Sequence, residues 1–176
     1  MSSALTPKPR IIGPRIRVCI VASKYNEEYT DALVNNTIEE LAELMPHARI
    51  DLIRVPGAFE IPVIVSSVLE RDPPSAIIAL GVIIRGATQH ADLVGRAVTE
   101  QLMRISVDHN HPVVHEVLFV DDEKQAYVRC IGSKLNRGRE AARAAAAMAE
   151  VFSELDRSMP RRGADESKTR RNARHA

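Results

Sequence analysis

The stretch SAIIALGVII, residues 75–84, followed at once by RGATQH, residues 85–90, decides the fold. It carries no charged residue until Arg85 and is preceded by Asp72-Pro73-Pro74. Such a run reads as a parallel strand, because a strand covered by helices on both faces loses polar alternation. A helix is expected from about Ala91 to Val107, turning Leu93, Val94, Val98, Leu102 and Ile105 toward a core. Outward from this unit the same strand-then-helix order continues in both directions. Upstream, IRVCIVAS (16–23) is a strand, followed by a helix from about Asn26 to Met45 that Pro46 ends. That helix sets Leu33, Ile38, Leu41 and Leu44 inward and acids outward. ARIDLIRV (48–55) is the next strand, and the loop PGAFEIP (56–62) leads into the helix IPVIVSSVLER, stopped by Asp72-Pro73-Pro74. Downstream come the strand HPVVHEVLFV (111–120), a helix over about Asp122 to Ile131, a loop at 132–136, and an Ala-rich helix over about Gly138 to Leu155. Four strands alternating with helices predict a single α/β domain: a doubly wound, four-stranded parallel sheet between two helical layers.

Composition limits the function classes. The 176 residues carry 24 Lys+Arg against 23 Asp+Glu, yet the charge is uneven. Residues 1–17 are net +4 and residues 157–176 net +5, which leaves an acidic body of −8 between them. The domain is expected over 16–157, with residues 1–15, rich in proline, as an extended arm and 158–176 as a disordered basic tail. Aromatic residues are only 3%, which weighs against a nucleic-acid surface built on stacked rings. The basic tail reads either as a solubilising extension or as an arm for nucleic acid or cargo. Cys19 and Cys130 have no CxxC partner and read as reduced, structural thiols. No apolar run reaches the length of a membrane span, and a cytoplasmic location is expected.

Ligands of open α/β sheets collect at the C-terminal ends of the strands. Three loops with unusual residues fall there: Ser23-Lys24-Tyr25-Asn26, Gly57-Ala58-Phe59-Glu60, and Arg85 to His90. Gly86-Ala87-Thr88 before a helix suits an anion, since unpaired N–H groups and the helix dipole point outward. The alternative is a plain glycine turn with Thr88 as a cap. Histidine is the side chain type that ordinarily exchanges protons near neutral pH, which makes His90 the best candidate for proton transfer, unless it only caps its helix. Glu60 suits hydrogen bonding to a polyhydroxy or amino ligand, or serves simply as a first-turn acid. Arg85, Arg129 and Arg137 are candidates for pairing with phosphate. His109, His111 and His115 lack the spacing of a metal site, so no metal is assigned.

Taken together and in order, SKYN (23–26), VPGAFEIP (55–62), LGVIIRGATQH (80–90) and Arg129, Arg137, Gly138, Glu140 resemble the 6,7-dimethyl-8-ribityllumazine synthase family over about residues 16–152. The resemblance implies a three-layer, flavodoxin-like subunit that assembles into pentamers, often twelve of them in a hollow icosahedral shell. It implies condensation of 5-amino-6-(D-ribitylamino)uracil with 3,4-dihydroxy-2-butanone 4-phosphate, releasing phosphate and water, with no cofactor. Riboflavin synthase is the implied protein partner. Residue by residue, it implies that Tyr25 stacks on the pyrimidine with Asn26 beside it, that Ala58, Phe59 and Glu60 hold the ribityl chain, and that the backbone of Val82, Ile83 and Ile84 reads the pyrimidine edge. It further implies that Gly86, Ala87 and Thr88 bind phosphate with Arg129, that His90 transfers protons with Glu140 near it, and that Arg137 stands at a position usually held by lysine. His115 occupies the place of a ring contributed across the subunit interface, usually Phe. Other departures from the pattern are Gln89, Ala91 and the order of the loop 132–136. A lumazine- or riboflavin-binding carrier without turnover is the competing reading.

Overall fold

The computed structural model describes residues 16–159. The expected N-terminal arm and almost all of the basic tail lie outside that range. The elements run β1 (Arg17–Ser23), α1 (Glu27–Leu44), β2 (Arg49–Val55), a single 3₁₀ turn (Ala58–Glu60), α2 (Ile61–Arg71), β3 (Ala76–Ile84), α3 (His90–Asp108), β4 (Val113–Val120), α4 (Glu123–Cys130) and α5 (Arg137–Ser158). All four strands are parallel, in the order β2-β1-β3-β4. This is the three-layer, doubly wound α/β domain that the strand-helix alternation predicts.

Period-two alternation along the strands divides the core into two layers. Val18, Ile20 and Ala22 of β1 and Ile78, Leu80 and Val82 of β3 face α1, α4 and α5. Cys19 and Val21 of β1 with Ile77 and Ala79 of β3 face α2 and α3. Fully burying each large aliphatic side chain contributes roughly 1.5–3 kcal/mol, so the sheet is the main source of stability. Both cysteines are buried free thiols, one in each layer. Burial pushes them up to about 11 at Cys19 and about 12 at Cys130, which keeps them protonated and inert.

The Ala-rich stretch packs within the subunit, against α1. Ala141, Ala142, Ala145, Ala146 and Ala149 are buried there. Gly138 lets the two helices approach closely, since a Cβ at that position would stand 2.6 Å from the Leu33 carbonyl oxygen and 3.0 Å from Asn36 Cβ. Thr37 donates its hydroxyl across the contact to the Gly138 carbonyl at 3.0 Å.

Two expectations about helix faces need correction. Leu93 is exposed, because Val94, Val98, Leu102 and Ile105 already form the stripe that packs on the sheet, and Leu93 stands a step around the helix from them. The acids of α1 are not all outward: Glu40 is buried and holds the buried Arg143 of α5 at 2.7 Å. Finally, α5 extends through Ser158, one residue into the segment expected as tail.

Candidate active site

The strand order reverses at β1 and β3, since β1 continues through α1 to β2 on one side while β3 adds on the other. A cleft of about 840 Å³ opens at their C-terminal ends, where a doubly wound sheet binds ligands. Asn26 follows β1 with φ of 54°, a left-handed conformation that asparagine tolerates, and its side-chain amide donates to the Val82 carbonyl of β3 at 2.8 Å. That bond ties the two strand ends together at the floor. Gly81 just below is required by close packing: a Cβ there would lie 3.1 Å from Ser23 Oγ and 3.3 Å from Val117 Cγ1.

Tyr25, Asn26, Ala58, Phe59, Glu60, Val82, Ile83, Ile84, Gly86, Thr88 and His90 all line this cleft, so the three loops do converge. Ala87 lies between Gly86 and Thr88 on the exposed rim. The Glu60 carboxylate accepts the Gly57 N–H at 2.8 Å, closing the turn before α2. It therefore works as the first-turn acid and still faces the cleft. The N-cap residue Gln89 makes no side-chain cap bond to α3, and the Thr88 hydroxyl accepts the His90 N–H at 3.4 Å. Nothing lies within 4 Å of where a side chain on Gly86 would stand. An anion placed there meets open backbone and the positive end of a 19-residue helix. Tyr25 and Phe59 are 73% and 64% exposed, so nothing described in their own chain covers the two rings.

The remaining predicted residues stand elsewhere in the chain. His115 lies on the edge strand β4 and turns toward α3, its Nε2 3.0 Å from Thr99 Oγ1. Loss of solvent around the ring holds its imidazole below the ordinary value, favouring the neutral form. Arg129 of α4 donates to the Gln125 carbonyl at 3.3 Å. Glu140 does not stand at His90 within one chain. It pairs with Arg137 in the first turn of α5, on the α1 side of the sheet, whereas His90 opens α3 on the opposite side. Arg85 pairs with Asp121 at 3.1 Å and Asp92 at 3.5 Å, stands over the Phe119 ring, and is not among the residues that line the cleft.

Glu123, the first residue of α4, also lines the cleft and was not anticipated from the sequence. The signal was available: the loop after β4 lies at the same end of the parallel sheet as the other three, and Asp122 caps α4 by accepting the Gln125 N–H at 2.7 Å. A second cleft, at the opposite pole, is lined by Ile16, Arg17, His47, Arg49 and Pro73 to Ser75. Its guanidinium groups are neutralised, Arg17 by Asp51 and Asp72 and Arg49 by Asp51, so it offers no comparable place for an anion. Among the described residues, no group of three or more His, Cys, Asp or Glu is placed to hold a metal ion, and no helix is long and apolar enough to cross a membrane.

A doubly wound parallel sheet with an open cleft at its switch point, edged by a histidine and two exposed rings, defines a flavodoxin-like α/β protein. Comparison with known proteins narrows the class. Residues 15–153 match the family model for 6,7-dimethyl-8-ribityllumazine synthase. Proteins of that name from Methylibium petroleiphilum and Thermococcus kodakarensis are 37% and 34% identical to this chain, covering 82% and 81% of it and 89% and 90% of their own lengths. One from Stenotrophomonas maltophilia is 39% identical over 79% of this chain and 90% of its own. The chain belongs to the 6,7-dimethyl-8-ribityllumazine synthase family.

Proposed function

We propose that this chain condenses 5-amino-6-(D-ribitylamino)uracil with 3,4-dihydroxy-2-butanone 4-phosphate to 6,7-dimethyl-8-ribityllumazine, releasing phosphate and water, the penultimate step of riboflavin biosynthesis. The observation that carries the reading is the cleft itself, where His90 opens α3 and lines one space with Gly86, Thr88, Tyr25, Phe59 and Glu60. The phosphate of the four-carbon substrate docks on the Gly86-Ala87-Thr88 segment, where the helix dipole stabilises it both bound and leaving. Tyr25 stacks on the pyrimidine, Asn26 and the backbone of Val82 to Ile84 read its edge, and Ala58, Phe59 and Glu60 hold the ribityl chain.

Amine addition to the ketone, loss of phosphate and ring closure each move a proton. His90, near the docked phosphate, exchanges protons with substrate and leaving group. Orientation of two bound substrates supplies much of the remaining acceleration.

The reading extends to assembly. The exposed rings and the distance of His115, Arg129, Arg137 and Glu140 from the cleft support a site completed by a neighbour, in which a second subunit brings its His115 ring over the pyrimidine, Arg129 to the phosphate, and Arg137 and Glu140 beside His90. The assembly is then a pentamer, and native mass reads whether pentamers stay separate or close into a sixty-subunit shell. Two free, buried thiols fit a reducing, cytoplasmic compartment, and riboflavin synthase is the enzyme that would draw on the product.

Mixing both substrates with the purified protein tests the reaction. Growth of 6,7-dimethyl-8-ribityllumazine absorbance is the expected result. Tight binding of the pyrimidine without that absorbance would make the chain a carrier instead.

A further inference from the structure

A second group of ionisable side chains gathers on the other face of the sheet. Glu116 stands in mid-β4, in register with Leu80 of β3, with its side chain 14% exposed. Arg137, the first residue of α5, reaches it at 3.8 Å and at the same time binds Glu140 one turn further on. One guanidinium is thus shared by two largely buried carboxylates. The groups that face Glu116 are Arg137 and Glu140 from α5, and, from α4, the Cys130 thiol, which feels both Glu116 and Arg129. The β3 neighbour Leu80 is apolar.

We propose that Glu116 is a positioning residue: the proton on its carboxyl decides whether Arg137 is held by one carboxylate or by two, and so how strongly Arg137 acts on a substrate anion. The inference rests on the reading of Arg137 as a substrate-binding residue. With Glu116 protonated, Arg137 and Glu140 form a neutral pair and the guanidinium keeps N–H groups to offer. With Glu116 ionised, the cluster carries a net negative charge and repels a phosphate. Burial pushes the Glu116 carboxyl up to about 7, Arg137 pulls it down and Glu140 pushes it up again, so the exchange falls at neutral pH. The Cys130 thiol, pushed up to about 12, stays neutral throughout and adds no charge.

Sulfate is the cleanest probe, because it remains a dianion while phosphate itself titrates. Its Kd is measured by calorimetry on the assembled protein at about pH 6 and about pH 8, for wild type and Glu116→Gln. Wild type is expected to lose about fivefold more affinity over that interval than the variant, from one added negative charge near the anion. Equal losses would overturn the role. Infrared titration of the wild-type carboxyl gives an independent reading. Sulfate must raise the Glu116 pKa if it binds the protonated state better, and an unmoved pKa would contradict the proposal. The condensation assay separates the two readings. Product formation with identical sulfate profiles removes Glu116 alone, whereas coupled sulfate binding without product removes the reaction and leaves the Arg137 cluster standing.

Discussion

The cleft at the ends of β1 and β3 and the seam between α1 and α5 are built on opposite terms. The cleft is open, with its rings and its histidine exposed. The seam is closed, with alanines, Gly138 and the buried Glu40–Arg143 pair at contact distance. At the cleft Tyr25, Phe59 and His90 stay exposed, whereas the polar groups at the seam are bonded to each other. Arg137 and Glu140 connect the two, because they open the helix that the seam holds in place. The seam therefore sets where the second half of the proposed site stands.

Changes at the seam should cost folding, and changes at the cleft should cost turnover. The largest effect is expected for Glu40→Ala, which removes the carboxylate 2.7 Å from the buried Arg143 guanidinium. About 3–5 kcal/mol of stability should be lost in denaturant unfolding, with turnover per folded subunit little changed. A loss below about 1 kcal/mol would mean that the pair is not structurally important.

A second test is the pH dependence of stability at Glu116. Its folded value, about 7, lies above the ordinary carboxyl value of 4.5, so the folded state holds an extra proton between the two. The contribution is fully present below about 4.5 and is lost as pH rises through about 7, on the order of 3 kcal/mol in total. Wild type should therefore lose stability relative to Glu116→Gln over that window. Parallel stability curves for the two proteins would contradict the burial argument.

The smallest change is expected at the cleft. His90→Ala should unfold like wild type, since the residue is exposed, and turn over roughly a hundredfold more slowly, the low end for a lost acid–base group, without losing all activity. Unchanged steady-state turnover would remove the proton-transfer role.

Much of this was readable in the chain. The apolar runs at 16–23 and 75–84 placed β1 and β3 to within a residue, and IPVIVSSVLER is α2 as expected. Period and punctuation are local properties, and the strand-end rule carried three loops to one cleft. What escaped depends on juxtaposition. Glu40 and Arg143 are 103 residues apart and meet only because α1 and α5 pack together. Glu116 sits in a strand that reads as apolar, and its closeness to Arg137 follows from where α5 begins. Arg85 pairs with Asp92 and Asp121, which only the fold brings to it. Glu123 was missed for a simpler reason: the loop after the fourth strand was not counted among those at the cleft.

A site shared between subunits is tested most directly by complementation. One variant carries Thr88→Ala with His90→Ala at the cleft, and the other carries Arg129→Ala on α4. After subunits are exchanged in equal amounts, random assembly leaves about one interface in four with both halves intact. The account predicts that the mixture recovers about a quarter of wild-type turnover, well above either parent. A mixture that shows only the average of its parents would place the whole site within one chain and contradict it.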